Sequence, residues 1–410
     1  MDRVKPAFYG GKLSSFRSVY DGFDTFLFTP HDTAGVNGVH VHDSMDSKRT
    51  MTIVIIALLP CFFFGMYNTG YQHWLAAGET VFPFWELMLY GFLAILPMVL
   101  TTYIVGLGIE FISAQLRHEE IQEGFLVTGI ILPMILPIET PIWMVAVATA
   151  FAVIFAKEVF GGTGYNIVNV ALVARAFLFF AYPAKMSGDK VFVATEQILG
   201  VGPKVADGFT CATPLGQIAT ASGGDFTVTG IDQHAISASD AFWGLIPGSF
   251  GETSVFCILI GAAILLLTRI GSWRIMLSVV AGGLAMGWIS NLCETPTYPG
   301  SYLNPVDQLM FGGFAFAAVF MATDPVTAAR TNTGKYIYGF LIGVVAVLIR
   351  TYNTGYPEGA MLAVLLMNVF APLIDWCVVQ ANVRRRMRRL TNVENQLDAV
   401  EENKEAKEGE

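Results

Sequence analysis

Residues 85–112 read WELMLYGFLAILPMVLTTYIVGLGIEFI. The charged residues of this stretch, Glu86 and Glu110, stand near its two ends. An α-helix rises about 1.5 Å per residue, so about 20 apolar residues are enough to cross the roughly 30 Å hydrocarbon core of a bilayer. The stretch is therefore predicted to form a membrane-spanning helix.

The whole chain has the composition of a membrane protein. Of its 410 residues, 54% are hydrophobic and 14% are charged, and the mean hydropathy is +0.54. A soluble domain of this size would carry many more charges. The sequence thus predicts an all-α polytopic membrane protein with about ten transmembrane helices. The apolar stretches that approach the length of a span are 50–68, 85–112, 122–138, 141–158, 165–183, 253–270, 273–292, 306–323, 336–351 and 359–380.

A long polar segment separates the ten stretches into two groups of five. An odd number of helices in each group gives the groups opposite orientations, as in inverted-repeat transporters, and we predict such a repeat. The tail beyond Glu394 is highly charged and is predicted to be disordered. The predicted regions are an N-terminal cytoplasmic segment (1–48), a first five-helix repeat (49–183), an external loop (184–250), a second five-helix repeat (251–382) and a basic, then acidic, cytoplasmic tail (383–410).

Basic residues indicate the orientation, because cytoplasmic connections are enriched in lysine and arginine. With the N-terminus inside, Arg350 is outside, and so is the loop 184–250 with Lys185, Lys190 and Lys204, although long loops cross largely regardless of charge. Both termini are therefore predicted to be cytoplasmic. The basic residues then placed inside are Lys48, Arg49, Arg117, Lys157, Arg269, Arg274, Arg330, Lys335 and the run 384–389.

The sequence offers little sign of a metal site or of a nucleic-acid partner. The five cysteines are far apart and form no C-x-x-C pair, which argues against an iron–sulfur or zinc site contributed by this chain alone. His40 and His42 would share a face of a strand, but ordinary loop histidines are the simpler interpretation. The formal charge of −9 does not indicate a nucleic-acid binder.

The polar segment contains the run Asp207-Gly208-Phe209-Thr210-Cys211-Ala212-Thr213-Pro214. On local chemistry alone, Thr213 and Pro214 mark the start of a helix, because threonine caps helices and proline suits the first helical position. A transporter has no evident need for such a run in an external loop.

A second motif, KEVFGGTGYNIVN, covers residues 157–169. Its glycines allow a ligand or a second helix to approach the backbone closely. Asn166 and Asn169 are three residues apart and are predicted to share one helical face, where their amides would suit the donor–acceptor edge of an isoalloxazine ring. The alternative is that these asparagines cap a helix and bind its neighbour.

Ionisable residues in or near the spans are costly there and often functional. Carboxylates are hard oxygen ligands for an alkali cation, although interface positions or pairing with arginine are equally plain explanations. Gly106 and Gly108 lie within one turn of a carboxylate and fit an apolar cleft, but glycines in membrane helices commonly serve packing. The ionisable residues are Glu110, Asp324, Glu358, Asp375, Arg175 and Arg350.

Together these motifs resemble the B-subunit family of the bacterial sodium-pumping NADH:quinone oxidoreductase and its Rnf relatives. The likeness runs from about Asp43 to Arg389, and the long lead segment favours the quinone-reducing enzyme over the shorter Rnf cousin. Further matching stretches are MATDPV (321–326), NTGK (332–335), YPEG (356–359) and FAPLID (370–375).

The resemblance implies specific cofactors. FMN would be joined by a phosphoester to Thr213, because Asp207, Thr210, Ala212 and Thr213 match the family's attachment sequence, with Cys211 where glycine is usual. Asn166 and Asn169 would contact a non-covalent riboflavin. Quinone would bind near Gly106 and Gly108, with Leu107 where the family commonly has glycine. Sodium would pass by Glu110, Asp324 and Asp375, and no catalytic residue is assigned.

The resemblance also implies the function and the partners. The chain would be one subunit of a six-subunit complex in the bacterial inner membrane, with loop 184–250 in the periplasm. It has no nucleotide-binding motif, so an NADH-oxidising flavoprotein, a second covalent-FMN subunit and a flavin transferase would be partners. The alternatives are an Rnf-type subunit, a non-redox ion or solute transporter, and a structural anchor. The sequence leaves open which quinone is reduced and whether sodium or protons move.

Overall fold

The computed structural model describes residues 5–9, 17, 20, 47–117, 124–186, 188, 192–206, 209, 211–221, 223–224, 226–353 and 355–408, with side chains described except at positions 7, 47 and 395–408. In this part of the chain the regular structure is helical, and only two isolated β-bridges are found. His31, His40 and His42 lie outside the described residues.

The first half of the chain contains six helices, counted among the described residues. They are α1 (Lys5–Tyr9), α2 (Ser47–Ala76), α3 (Phe84–Arg117), α4 (Phe125–Ile135), α5 (Ile142–Ala152) and α6 (Val170–Ala181). A π-helical turn (Val153–Lys157) and a 3₁₀ turn (Glu158–Phe160) prolong α5.

The loop and the second half of the chain follow. The loop carries α7 (Pro183–Met186), α8 (Pro214–Thr220) and α9 (Ala238–Trp243). The second half has α10 (Val255–Leu267), α11 (Trp273–Leu292), a 3₁₀ turn (Pro299–Tyr302), α12 (Pro305–Met310), α13 (Phe314–Phe316) with a π-helical turn (Ala317–Met321), α14 (Asn332–Tyr352) and α15 (Ala360–Glu408).

The predicted fold class is confirmed, because the chain is an all-helical polytopic membrane protein. Six helices of the described chain are long and apolar enough to span a membrane, and α4, α6 and α10 are shorter apolar helices. The predicted stretch 306–323 is not a single helix, since the backbone breaks at Gly312, whose φ of +63° favours glycine. The number of crossings therefore stays a prediction.

Several of the short helices have a terminus inside the bundle, where side chains form hydrogen bonds with the free backbone groups of that terminus. The side chain of Asn169 accepts a hydrogen bond from Leu172 N at 3.3 Å at the start of α6, and Ser254 does the same for Cys257 at 3.3 Å at the start of α10. Arg175 donates to the carbonyl of Ile135 at the end of α4. Because lipid offers no hydrogen bonds, such caps are required at membrane depth.

The two halves share an order of packing. In the first half α3 packs on α5 and α5 on α6; in the second half α11 packs on α14 and α14 on α15. The first helices of the halves, α2 and α10, contact each other, and a Cβ at Gly261 would meet the carbonyl of Ala57 at 2.5 Å. A shared order of packing is expected of any internal repeat, so the inverted orientation stays a prediction. The domain boundaries themselves stay a prediction.

The polar loop covers one end of the bundle, which we call the loop end. His73 in α2 contacts the carbonyl oxygens of Ala194 at 2.7 Å and Pro203 at 3.0 Å, and Tyr90 in α3 donates to Glu196 O at 2.7 Å. Farther along, the loop packs on the segment that precedes α13 and forms a small apolar core with it. The members of this core are Leu215, Ile218, Ala241, Ile246, Leu303 and Phe311. The loop is thus attached to both halves of the chain.

The predicted disorder of the C-terminal tail is wrong, because α15 continues to Glu408. No glycine or proline occurs between Pro372 and Glu408. The tail is instead rich in Arg, Glu, Lys, Leu and Ala, which all favour the helical state. The charge of the tail therefore does not interrupt the helix that leaves the bundle.

Candidate functional site

A cleft lies at the end of the bundle opposite the loop, which we call the cleft end. It contains about 830 Å³ of empty space, part of which is open to solvent, and Lys157, Asn166, Asn169 and Asp324 contribute its polar lining. These residues come from both halves of the chain. Its apolar walls include Val54, Val127, Ile131, Leu265 and Phe320.

The glycine-rich motif shapes the backbone at this cleft. Gly161, Gly162 and Gly164 have φ angles of +117°, +94° and +88°, values that residues with a Cβ rarely adopt. They turn the chain from the end of α5 toward Asn166. The glycines are therefore required by the turn itself.

The expectation that Asn166 and Asn169 share a helical face is wrong. Residues 161–169 form a turn and loop, and α6 begins at Val170 with Asn169 as its N-cap. A spacing of three residues places two side chains on one face only within a helix, and here the positive-φ glycines interrupt the helix before Asn166. Both asparagines nevertheless line the cleft.

Asp324 brings the second half of the chain to the same site. Its carboxylate accepts hydrogen bonds from Val326 N at 3.1 Å, Thr327 Oγ1 at 3.0 Å and Asn169 Nδ2 at 3.4 Å. Asn166 donates to the carbonyl of Val168 at 3.1 Å. The cleft therefore presents amides and a carboxylate beside an apolar wall.

Glu110 does not line the cleft itself, but it forms a buried ion pair with Lys157, which does. Both side chains are 5% exposed, and Glu110 Oε2 has no hydrogen-bond partner among the described residues. The ammonium of Lys157 also lies 5.8 Å from the centre of the Phe125 ring. The adjacent Glu158 has its own partner, Arg117, at 3.3 Å.

The two glycines predicted to line a quinone cleft point in different directions. Gly106 is buried, and a Cβ there would collide with the Phe125 ring, whereas a Cβ at Gly108 would have no atom within 4 Å. Of the two positions, only Gly108 has open space beside it. The quinone assignment stays a prediction.

Alanine at the two glycines is expected to have different effects on stability. Gly106→Ala should lower the free energy of unfolding by about 1–3 kcal/mol, because the added methyl group overpacks the contact with Phe125. Gly108→Ala should be neutral or stabilising, since alanine favours helix over glycine by up to about 1 kcal/mol. Thermal unfolding in detergent measures both, and equal midpoints for the two variants would contradict this packing.

Asp375 lies apart from the cleft and binds the start of α14. Its carboxylate accepts hydrogen bonds from Arg330 N at 2.7 Å, Thr331 N at 3.0 Å and Thr331 Oγ1 at 2.6 Å. The three predicted ion-pathway acids therefore do not form one site. Asp324 lines the cleft, Glu110 lies behind Lys157, and Asp375 holds a helix start.

Thr213 lies at the loop end and is the N-cap of α8. Its Oγ1 accepts a hydrogen bond from Gly216 N at 3.2 Å, its own N–H donates to Gly188 O at 2.7 Å, and the residue is 7% exposed. Its expected role as a helix start is therefore found. Asp207 and Thr210 lie outside the described residues.

Two cavities flank Thr213. The smaller has about 330 Å³ of empty space and is also lined by Ser249, Glu252 and Glu358. The larger has about 940 Å³ of empty space, part of which is open to solvent, and is lined by Phe179, Tyr356 and Glu358. Nearby, burial raises the pKa of the Cys211 thiol to about 11, so this group is neutral at pH 7 and a weak nucleophile.

A buried charge network beside these cavities includes a residue that the sequence did not single out. Arg175 binds Glu358 and lies 3.3 Å from Glu252, whose side chain is 3% exposed. Arg350 donates to the carbonyls of Gln308 and Glu358. Glu252 was missed because it precedes α10 in sequence, outside the apolar stretches. Its burial depends on partners more than 70 positions away.

Among the described residues, no group of three or more His, Cys, Asp or Glu side chains is arranged to hold a metal ion.

The fold and sites define a membrane-embedded helical protein with a polar cleft at one end and a buried, helix-capping threonine at the other. Residues 36–384 match the model of the NQR2, RnfD, RnfE family.

The chain is also similar to curated proteins over nearly its whole length. It is 43% identical to the B subunit of the Na(+)-translocating NADH-quinone reductase of Pseudomonas paraeruginosa, over 95% of this chain and 98% of that protein. It is 43% identical to the B subunit of the same enzyme of Chromohalobacter salexigens, over 95% of each chain. It is 42% identical to that of Klebsiella pneumoniae, over 95% of this chain and 98% of the relative.

The chain therefore belongs to the NQR2, RnfD, RnfE family. The resemblance inferred from its motifs is confirmed.

Proposed function

We propose that the chain is the membrane subunit of a sodium-pumping NADH:quinone oxidoreductase. It passes electrons between flavins toward quinone and couples this transfer to sodium transport. The supporting observation is its near-full-length similarity to proteins named as the B subunit of that enzyme. An NADH-oxidising flavoprotein, a second covalent-FMN subunit and a flavin transferase act with it, as the family resemblance implies.

Thr213 is the proposed attachment point for FMN. Its hydroxyl oxygen accepts from Gly216 N, which leaves the hydroxyl hydrogen free of that bond. One side of the larger adjoining cavity is an aromatic patch of Phe179 and Tyr356, whose rings pack edge to face with their centres 4.2 Å apart. Aromatic surfaces suit a flat heterocycle. The neutral thiol of Cys211 does not compete with Thr213 as a nucleophile.

The cleft at the opposite end is the proposed riboflavin site. Small-molecule sites are concave and mostly apolar with a few convergent polar groups, and the lining of this cleft has that character. Asn166 and Asn169 supply amides for the polar edge of the ring, and the apolar walls suit its faces. A flavin bound here would supply one- and two-electron chemistry, while the protein positions and desolvates it.

The ion and quinone assignments remain proposals from the family resemblance. Asp324 and Glu110 are joined to the cleft, so their carboxylates are the better supported ion ligands. Asp375 accepts three hydrogen bonds that hold the start of α14, and a role in sodium uptake would add to that structural one. Quinone would bind beside Gly108, where the surface of α3 is open.

The proposed orientation places the cleft end in the cytoplasm and the loop end in the periplasm of a bacterial inner membrane. Arg117 and Lys157 lie at the cleft end, where they contact Glu158 and Glu110. The presence of these two basic residues agrees with the lysine and arginine content expected of cytoplasmic connections.

The test is NADH-driven quinone reduction by the purified complex, titrated with sodium against potassium at equal ionic strength. We expect sodium stimulation in the wild-type complex. Glu110→Gln and Asp375→Asn should each raise the half-saturating sodium concentration roughly tenfold, equivalent to about 1.4 kcal/mol. Glu86→Gln is the matched control, because Glu86 is exposed at the opposite end of α3.

Two results would overturn these assignments. Unchanged sodium dependence in both variants would remove Glu110 and Asp375 from the ion route. A complex that carries no flavin and moves a solute without quinone reduction would favour the transporter alternative over the redox function.

A further inference from the structure

Lys157 lies between the cleft and Glu110. It ends the π-helical turn after α5, and it is the one cationic residue among the described residues that line the cleft. Its ammonium pairs with Glu110 Oε1, which is buried behind it. π-helical turns of this kind are frequent at functional sites.

The other charges near Lys157 already have partners. Asp324, on the opposite wall, accepts three hydrogen bonds, and Glu158 binds Arg117 and Ser113. Glu110 differs, because Oε2 has no hydrogen-bond partner in the described part of the chain. A buried carboxylate with a free oxygen keeps capacity for a second cationic ligand, because an unmet buried acceptor is costly.

We infer that Lys157 is a shared cation that couples occupancy of the cleft to cation binding at Glu110. This inference rests on the proposed flavin site. The single ammonium can neutralise Glu110 or negative charge that accumulates in the cleft, but not both. When it turns toward the cleft, the Glu110 carboxylate loses its partner and becomes a site for sodium.

The coupling must act in both directions, because linkage between two binding sites is reciprocal. Negative charge in the cleft increases sodium affinity at Glu110, and sodium at Glu110 favours negative charge in the cleft. Lys157 performs this role as a positioning residue, through its charge and its two alternative partners.

The test measures sodium binding rather than turnover. Radiolabelled sodium is titrated by equilibrium dialysis onto the oxidised complex and onto the complex reduced anaerobically with a sodium-free reductant. In the wild type we expect sodium affinity to rise about tenfold on reduction, within the usual range of coupling between sites. In Lys157→Gln the two affinities should agree within about twofold, whereas Lys157→Arg should retain the difference.

Because Lys157→Gln leaves Glu110 without its partner, the double variant Lys157→Gln/Glu110→Gln serves as the folding control. It should retain its flavin and have no reduction-dependent sodium site. If Lys157→Gln retains flavin and the full tenfold difference, the inference is wrong while the flavin site stands. If the wild-type complex releases no non-covalent flavin on denaturation, the proposed cleft function fails and the inference fails with it.

Discussion

Replacing Thr213 with alanine is expected to abolish the flavin fluorescence of the denatured, washed polypeptide. The phosphoester needs the Thr213 hydroxyl, and a buried neutral Cys211 thiol offers no substitute. Loss of the cap should lower the free energy of unfolding by only about 0.5–2 kcal/mol, so the protein should still fold. In-gel fluorescence and mass spectrometry of the peptide spanning residues 205–220 measure the result.

Two variants separate attachment from folding. Thr213→Val keeps the shape of threonine without the hydroxyl and should be as dark as Thr213→Ala. Thr210→Ala leaves the Thr213 hydroxyl in place and should keep the modified peptide. An unmodified wild-type peptide, from cells that flavinylate other proteins, would end the claim.

Loss of Arg175 is expected to be the most destabilising single change. Arg175→Met leaves the buried Glu252 and the partly buried Glu358 without the Arg175 cation, and the carbonyl of Ile135 without its donor. Breaking a buried ion pair on one side typically costs about 3–5 kcal/mol. The midpoint of thermal unfolding in detergent should fall markedly.

The matched control is Arg117→Met, which breaks a partly exposed pair. Arg117 is 34% exposed, and pairs of that kind contribute about 0–1 kcal/mol. The triple variant Arg175→Met/Glu252→Gln/Glu358→Gln should recover part of the loss, because it leaves no unpaired charge. Similar midpoints for Arg175→Met and Arg117→Met would show that the buried network does not stabilise the fold.

The long helices were predictable because hydropathy is a local property. The stretch 85–112 lies within α3, and the predicted span 273–292 has the same bounds as α11. The helix start at Thr213 was also readable, because a threonine followed by proline is a local signal.

Other features depend on residues that are distant in sequence, and the sequence pattern did not reveal them. Asn166 and Asn169 meet at the cleft because positive-φ glycines turn the backbone, and not through helical periodicity. Glu252 is buried because Arg175 lies against it across the bundle. The break in 306–323 follows from Gly312, where the backbone approaches Leu215 of the loop.

The uninterrupted path of α15 into the tail changes what that tail does mechanically. Residues 381–408, beyond the predicted span, extend about 40 Å at 1.5 Å per residue. A disordered tail of the same length would act as a slack tether, with its far end sampling a wide volume near the bilayer. A helical tail acts as a spacer, and it holds whatever binds at its far end at a set distance from the membrane.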